Sequence, residues 1–301
     1  MRSYILAAGD ANRMSPIETN KPFLPVGDKT ISDNIEDNLP TEKSELVTQE
    51  GGGTGSTAKI INENKPFMLS NGDIVPSVVP EPEDIPTVYT HQVKEASGYG
   101  VIKYNKIIEK QKTGPALINA GIYYLDSHIF EFIDEVNEVN GEIRITDALN
   151  KYETIHTKKL DSWLSVEYPW DLLNAQTGQY ISDDASVHKN ATIRGNSYIG
   201  PNVKVGKNAE IKESVLLEGV TAEHHCYIGD SVVGKNVNVG AGVVTANMRH
   251  DEKNVSSNGV DTNRRKFGAV IGPRAKLGAN TTLNPGTVIE ADEWTLAGEV
   301  R

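Results

Sequence analysis

Along the second half of the chain an aliphatic side chain returns every six residues, at Ile181, Val187, Ile193, Ile199, Val205, Ile211 and Leu217. The beat resumes at Val233 and Val239, and again at Ile271, Leu277, Leu283 and Ile289. A helix repeats at 3.6 residues and a strand at 2, so neither accounts for a period of six. A solenoid does, when each six-residue unit is one short strand plus a corner and three units complete a turn. Glycine follows the aliphatic residue in Ile199-Gly200, Val205-Gly206, Ile228-Gly229, Val233-Gly234, Val239-Gly240, Ile271-Gly272 and Leu277-Gly278. That predicts glycine corners at which the backbone bends sharply. Residues 250–266, HDEKNVSSNGVDTNRRK, break the period and read as a loop thrown out from one coil. Solenoid ends and flat faces are adhesive, so the domain is expected to cap itself or to oligomerise.

The first half has no such beat. Strand-like runs at Tyr4–Ala8, Pro66–Ser70, Thr87–His91 and Ala120–Leu125 are mixed with helix-like stretches such as Ser127–Val136. This predicts an α/β domain with a largely parallel sheet, and a boundary that divides the chain into 1–178 and 179–301. The balance of 41 Asp and Glu against 30 Lys and Arg, a net charge of −11, argues against a nucleic-acid partner, because phosphate backbones are bound by basic faces. It leaves anionic small substrates open, since a pocket needs only a few well-placed cations. A single cysteine, Cys226, rules out an internal disulfide framework and fits a reducing compartment. No apolar run approaches the roughly 20 residues that span a bilayer, so no membrane partner and a cytoplasmic location are expected.

LAAGDANRM, Leu6–Met14, is a strand that runs into small residues with a cation just beyond. Such a turn lets backbone N–H groups approach a phosphate, and Arg13 can add fixed charge and a fork of donors. The continuation SPIETNKPFLPV supplies a second cation, Lys21. Other polar positions carry two readings on the residues alone. Asp73, in SNGDI, is also good turn chemistry. Glu109, in IIEK, is also an ordinary surface Glu–Lys pair, and His224 and His225, in AEHHCYIGD, are also a solvent-facing corner.

The set LAAG…RM…KPFLPV, with GTG at Gly53–Gly55, SNGDI at Ser70–Ile74, GYGVI at Gly98–Ile102, IIEK at Ile107–Lys110, NAGIYYL at Asn119–Leu125 and YPWDLLNA at Tyr168–Ala175, resembles the sugar-1-phosphate nucleotidylyltransferases, the last segment their archaeal members. The resemblance implies a Rossmann-like domain in which a sugar 1-phosphate attacks the α-phosphate of a nucleoside triphosphate and releases pyrophosphate. It implies that Arg13 and Lys21 neutralise the phosphates and that Asp73 holds Mg²⁺. Leu6, Ala7, Ala8, Gly9, Gly53 and Thr54 would line the nucleotide, and Gly100, Glu109 and Asn119 the sugar. Ala11 and Asn12 depart from the family's usual glycine and threonine, and Ser165 stands where many relatives place a second metal-binding aspartate. Asp171 or Glu167 is the expected substitute. The chain is also short of family passages between Leu39 and Gln49 and after Asp73; the domain is either pared down or joined across missing segments.

YIGDSVVGKNVNVGAGVVTANMRHDEKNV, Tyr227–Val255, resembles the C-terminal acetyltransferase domain of bifunctional enzymes that acetylate an amino-sugar 1-phosphate and then uridylylate it, and DTNRRKFGAVIG, Asp261–Gly272, their archaeal branch. That domain is a left-handed parallel β-helix with acetyl-CoA as co-substrate. The matching places the catalytic histidine at His224 and puts Asn247 on the acetyl group or amine. It sets Tyr227 and Asn238 on the sugar phosphate, and Ala241 and Lys266 on the coenzyme. His225, one position on, is expected to point the opposite way along a strand, and Cys226 reads as a small wall residue. The leading expectation is therefore a bifunctional, homotrimeric enzyme using glucosamine or galactosamine 1-phosphate and UTP or dTTP. A monofunctional nucleotidylyltransferase with a structural β-helix is the alternative, and a scaffold with a decayed nucleotide domain the third reading.

Overall fold

The computed structural model describes residues 1–7, 12–48, 53–109 and 114–301. They form two compact units, one drawn from Met1–Asp10, Lys21–Phe23 and Ile31–Ser165, the other from Ala11–Asn20, Leu24–Thr30 and Val166–Arg301.

In the first unit the strands lie in the order His156–Lys159, Thr87–Val93, Ala116–Leu125, Phe67–Asn71, Arg2–Leu6, Lys43–Val47. Tyr4, Ile5, Leu6, Phe67, Met68 and Leu69 are all buried, as expected of strands covered on both faces. The three strands around Arg2–Leu6 are parallel, with Leu6 level with both Val47 and Asn71. Ala116–Leu125 departs from the expected parallel sheet and runs antiparallel to both neighbours. A parallel return needs a crossover, whereas the described part of its connection to Thr87–Val93 holds only a hairpin arm, Val101–Lys103 with Lys106–Ile108. The helix expected at Ser127–Val136 is present as His128–Glu135, anchored by Ile129 and Ile133. Where the sequence is short of family passages, helix Ile31–Asn38 leads directly into Lys43–Val47. After Asp73 a three-residue strand, Ile74–Pro76, pairs with Trp163–Ser165, and residues 77–86 lead to Thr87 without a helix.

The second unit contains a left-handed parallel β-helix built from three faces of stacked short strands. The six-residue beat is its inward column: Ile199, Val205, Ile211, Val233, Val239, Ile271, Leu277, Leu283 and Ile289 are buried in one core cluster. Ile181, in the first coil, is 39% exposed. The beat also slips at Leu217. Register pairs Ile199 with Leu216 and Leu216 with Val233, so Leu216 points inward and its coil is one residue shorter than a triple of six. The shortened corners carry Ser197, Ser214 and Ser231, whose hydroxyls take up backbone N–H groups of Ser214, Ser231 and Ala269 at 3.0–3.2 Å. Ala222 and Ile228 continue the column. Thr245 takes the place of an aliphatic residue, its hydroxyl accepting from Gly229 N at 2.8 Å.

The glycines directly after the aliphatic residues serve closeness rather than curvature. A Cβ on Gly206 would lie 1.8 Å from the Glu223 carbonyl oxygen of the next coil, so the position admits no side chain. The left-handed bend falls two residues later, on Asn202, Asn208, Asn236 and Asn280, residues that tolerate positive φ. The expected loop leaves the coil after Asn247 and is closed by Phe267 N donating to Asn247 O at 2.8 Å; inside it Ser256–Ser257 and Val260–Asp261 form a small hairpin. Among the described residues no helix is long and apolar enough to cross a membrane.

Candidate active sites

In open α/β sheets ligands bind beyond the carboxyl ends of the parallel strands. Lys21 and Asp73 meet there, Nζ to Oδ2 at 3.3 Å, on a stretch where a Cβ on Gly72 would lie 2.5 Å from Leu6 O. Both side chains are partly exposed, at 17% and 34%, so this pair is reachable from solvent. Leu6 is buried, and the Ala7 N–H is spent on Val47 O at 2.8 Å. Ala8 and Gly9 lie outside the described residues. Gly53 and Thr54 open a short helix seated against 143–145: a Cβ on Gly53 would lie 2.8 Å from Ile143 O, and Thr54 Oγ1 accepts from Ile145 N at 3.2 Å.

The three positions assigned to the sugar come together. Asn119 N donates to Gly100 O at 2.8 Å, and Glu109 lies over Gly100, with Oε1 3.1 Å from where a Cβ would stand. Asn119 Nδ2 donates to the Tyr123 hydroxyl at 2.8 Å, while its Oδ1 accepts from Gly121 N at 3.0 Å, across an irregularity in the strand. Burial pushes the Tyr123 phenol well above its ordinary value, and the charges of Glu109 and Asp73 add to it. Tyr123 itself went unnoticed in the sequence, where it reads as one more apolar strand residue.

Arg13 belongs to the second unit, in a single helical turn Asn12–Met14, and its guanidinium pairs with Glu167. Asp171 does not present a free carboxylate. Its Oδ2 accepts from Glu167 N and Tyr168 N at 2.9 and 2.8 Å, which ties the start of helix Asp171–Ala175. Trp170 stacks on Tyr168 and meets Phe267 edge-on, with centroids 4.7 and 5.7 Å apart.

On the β-helix, His224 is exposed at the corner between the second and third faces. Its carbonyl accepts from Gly242 N at 3.0 Å, which puts Ala241 directly above it in the next coil. His225 is not on a strand, as alternation would require. It takes the left-handed bend, φ 51°. Asn238 is exposed on the second face between Thr221 and Lys276, and Lys266 is exposed where the loop returns, opposite Met248. Cys226 is buried, and its thiol is pushed up to about 11 by burial. A thiolate is therefore suppressed, in keeping with a wall residue.

Along the third face, Tyr227 and Asn247 are brought together by a residue the sequence reading passed over. Asp230, 4% exposed, accepts from Asn247 Nδ2 at 2.6 Å and from Lys212 Nζ at 2.7 Å, and Asn247 Nδ2 also reaches the Tyr227 hydroxyl at 3.1 Å. Arg264, from the returning limb of the loop, approaches Asp230 at 3.9 Å and donates to Asn174. Burial pulls its guanidinium below the ordinary value, against the pull of Asp230. Lys212, Asp230 and Asn247 sit in neighbouring coils, so counting one coil along the chain would have joined them.

The two units thus combine a nucleotidyltransferase-type α/β sheet with a hexapeptide-repeat β-helix of the acyltransferase kind. Residues 58–175 match the family described as Nucleotidyl transferase, and residues 175–267 that described as GMPPB C-terminal domain. The bifunctional sugar-1-phosphate nucleotidylyltransferase/acetyltransferase of Sulfurisphaera tokodaii is 30% identical over 379 aligned positions, which cover 97% of this chain and 94% of that one. The bifunctional protein GlmU of Methanocaldococcus jannaschii is 30% identical over 388 positions, covering 98% and 93%. That of Thermotoga maritima is 40% identical over 111 positions, 37% of this chain and 23% of its own. The chain belongs to the family of bifunctional sugar-1-phosphate nucleotidylyltransferase/acetyltransferases. An alignment of 379 positions exceeds the 301 residues present, so these relatives carry several dozen residues with no counterpart here.

Proposed function

We propose that the chain acetylates an amino-sugar 1-phosphate, glucosamine or galactosamine 1-phosphate, and then transfers UMP or dTMP to the sugar phosphate. Residues 1–178 would serve the second reaction and 179–301 the first. The observation that carries the reading is the convergence of Asn247 and Lys212 on one buried carboxylate of the β-helix, with the Tyr227 hydroxyl bonded to the same Asn247 amide, an arrangement for which a purely structural solenoid has no need.

In acetyl transfer the amine nitrogen attacks the thioester carbonyl of acetyl-CoA, His224 takes the amine proton, and the coenzyme leaves as its thiolate. Asn247 and Tyr227 would hold the amino-sugar phosphate with Asn238, and Ala241 and Lys266 would border the coenzyme. In nucleotidyl transfer a phosphate oxygen attacks the α-phosphorus in line and pyrophosphate departs, so the demand is alignment and charge neutralisation. Arg13 and Lys21 would supply the charge, Leu6, Ala7, Gly53 and Thr54 the nucleotide wall, and Gly100, Glu109 and Asn119 the sugar contacts. Mg²⁺ typically takes one or two carboxylates plus substrate phosphates, and the partly exposed Asp73 beside Lys21 fits that role. Asp171, held by two amides, stays with its turn. Bound there, Mg²⁺ would shield the phosphates.

The test is an assay in two stages. Glucosamine 1-phosphate with acetyl-CoA should release free thiol, and UTP should then release pyrophosphate. Chelating divalent ions should stop the second signal and spare the first. Pyrophosphate without thiol would leave only the nucleotidyl half of the reading. We further take the protein to be a cytoplasmic homotrimer assembled through its β-helices, which would hide flat faces and form clefts for the coenzyme. Light scattering should return three times the chain mass; a monomer acetylating at full rate would contradict this.

A further inference from the structure

The Asp230 side chain does more than neutralise Lys212. A carboxylate only accepts hydrogen bonds, so the atom of Asn247 that meets it at 2.6 Å must be the amide nitrogen. The second hydrogen of that nitrogen goes to the Tyr227 hydroxyl at 3.1 Å. Both donors of Asn247 are then spent, and its carbonyl oxygen is the atom left to face a ligand. The Tyr227 oxygen has accepted one bond, so its own proton is left to be given away. Donor and acceptor identities along the third face therefore descend from one buried charge.

We propose that Asp230 is a positioning residue for acetyl transfer, fixing Asn247 as an acceptor and Tyr227 as a donor toward the substrate. This inference rests on the acetyl-transfer reading above. An acceptor and a donor a few ångströms apart suit a ligand with an N–H next to an anionic or hydroxyl oxygen, and disfavour one with a carbonyl at the amine position. Asp230 lies at φ 49°, a conformation that Asn also tolerates. Asp230→Asn thus removes the charge without new backbone strain and frees Asn247 to turn over.

The experiment measures both activities in the full-length protein and in Asp230→Asn. Expected for the variant is a fall of at least 30-fold in acetyl-transfer kcat/KM, with a raised KM for glucosamine 1-phosphate, an unchanged KM for acetyl-CoA, and pyrophosphate release within twofold of the parent. A merely structural role would move both KM values or both activities together, and that result would overturn the proposal. If the lone Lys212 ammonium unfolds Asp230→Asn, the double variant Lys212→Met/Asp230→Asn removes the stranded charge. The same defect is expected of it, with a parent-like far-UV spectrum. A folded variant of either kind that acetylates within threefold of the parent overturns the inference alone. A parent protein that releases no thiol from acetyl-CoA overturns the acetyl-transfer reading, and this inference with it.

Discussion

Replacing His224 with alanine should slow acetyl transfer by roughly 100-fold or more, the usual worth of a positioned base, and leave pyrophosphate release unchanged. The side chain is exposed at a corner, with Ala241 above it in the next coil and Tyr227 three residues on at the head of the third face. No hydrogen bond or ion pair to the imidazole occurs among the described residues, so its loss removes chemistry and little stability. His225→Ala is the control. Its backbone takes the left-handed bend and its amide is held by Lys207 O at 3.3 Å. The change there should be less than tenfold on the same scale. An essential His225 with a dispensable His224 would reverse the assignment.

Arg13→Ala should cut pyrophosphate release by about 1,000-fold or more, the scale on which a phosphate-facing arginine acts in phosphoryl transfer. Acetyl transfer should stay within twofold. Arg13 pairs with Glu167, and among the described residues neither touches His224, Tyr227 or Asn247. The ion pair is largely exposed, with 61% of the Arg13 side chain accessible, and exposed pairs contribute little to stability. A melting temperature near that of the parent would therefore attribute the lost activity to chemistry. Loss of both activities in a folded variant would mean one shared site.

Much of the β-helix could be read from the sequence because its determinant is local: an inward aliphatic every six residues and a glycine where the next coil presses close. What escaped was whatever depends on stacking. Leu217 was the expected inward residue, yet Leu216 takes that place, because serine hydroxyls let the neighbouring corners shed a residue. Ala222 and Thr245 hid two beats, one too small and the other polar until its hydroxyl found Gly229 N. Asp230 carries no signal of its own in IGDSVV, because its partners Lys212 and Asn247 lie 18 and 17 residues away. In the first unit the motif residues Gly100, Glu109 and Asn119 do meet. Glu167 as the partner of Arg13, 154 residues distant, carries no sequence signal at all. The antiparallel course of Ala116–Leu125 follows from what the connection lacks, which a strand's own residues cannot announce.

The excursion between Asn247 and Phe267 leaves and rejoins the solenoid at the same rung, where one backbone hydrogen bond clasps its two ends. Its length is thereby uncoupled from the pitch of the coils. A residue added within one of the short strands would turn the inward side chains after it out of phase, whereas a residue added at the hairpin tip, around Asn258 and Gly259, leaves the later coils in register. This rung is a position where the solenoid can accept foreign sequence as cargo, an epitope or a tether, and still close its core from Gly268 onward.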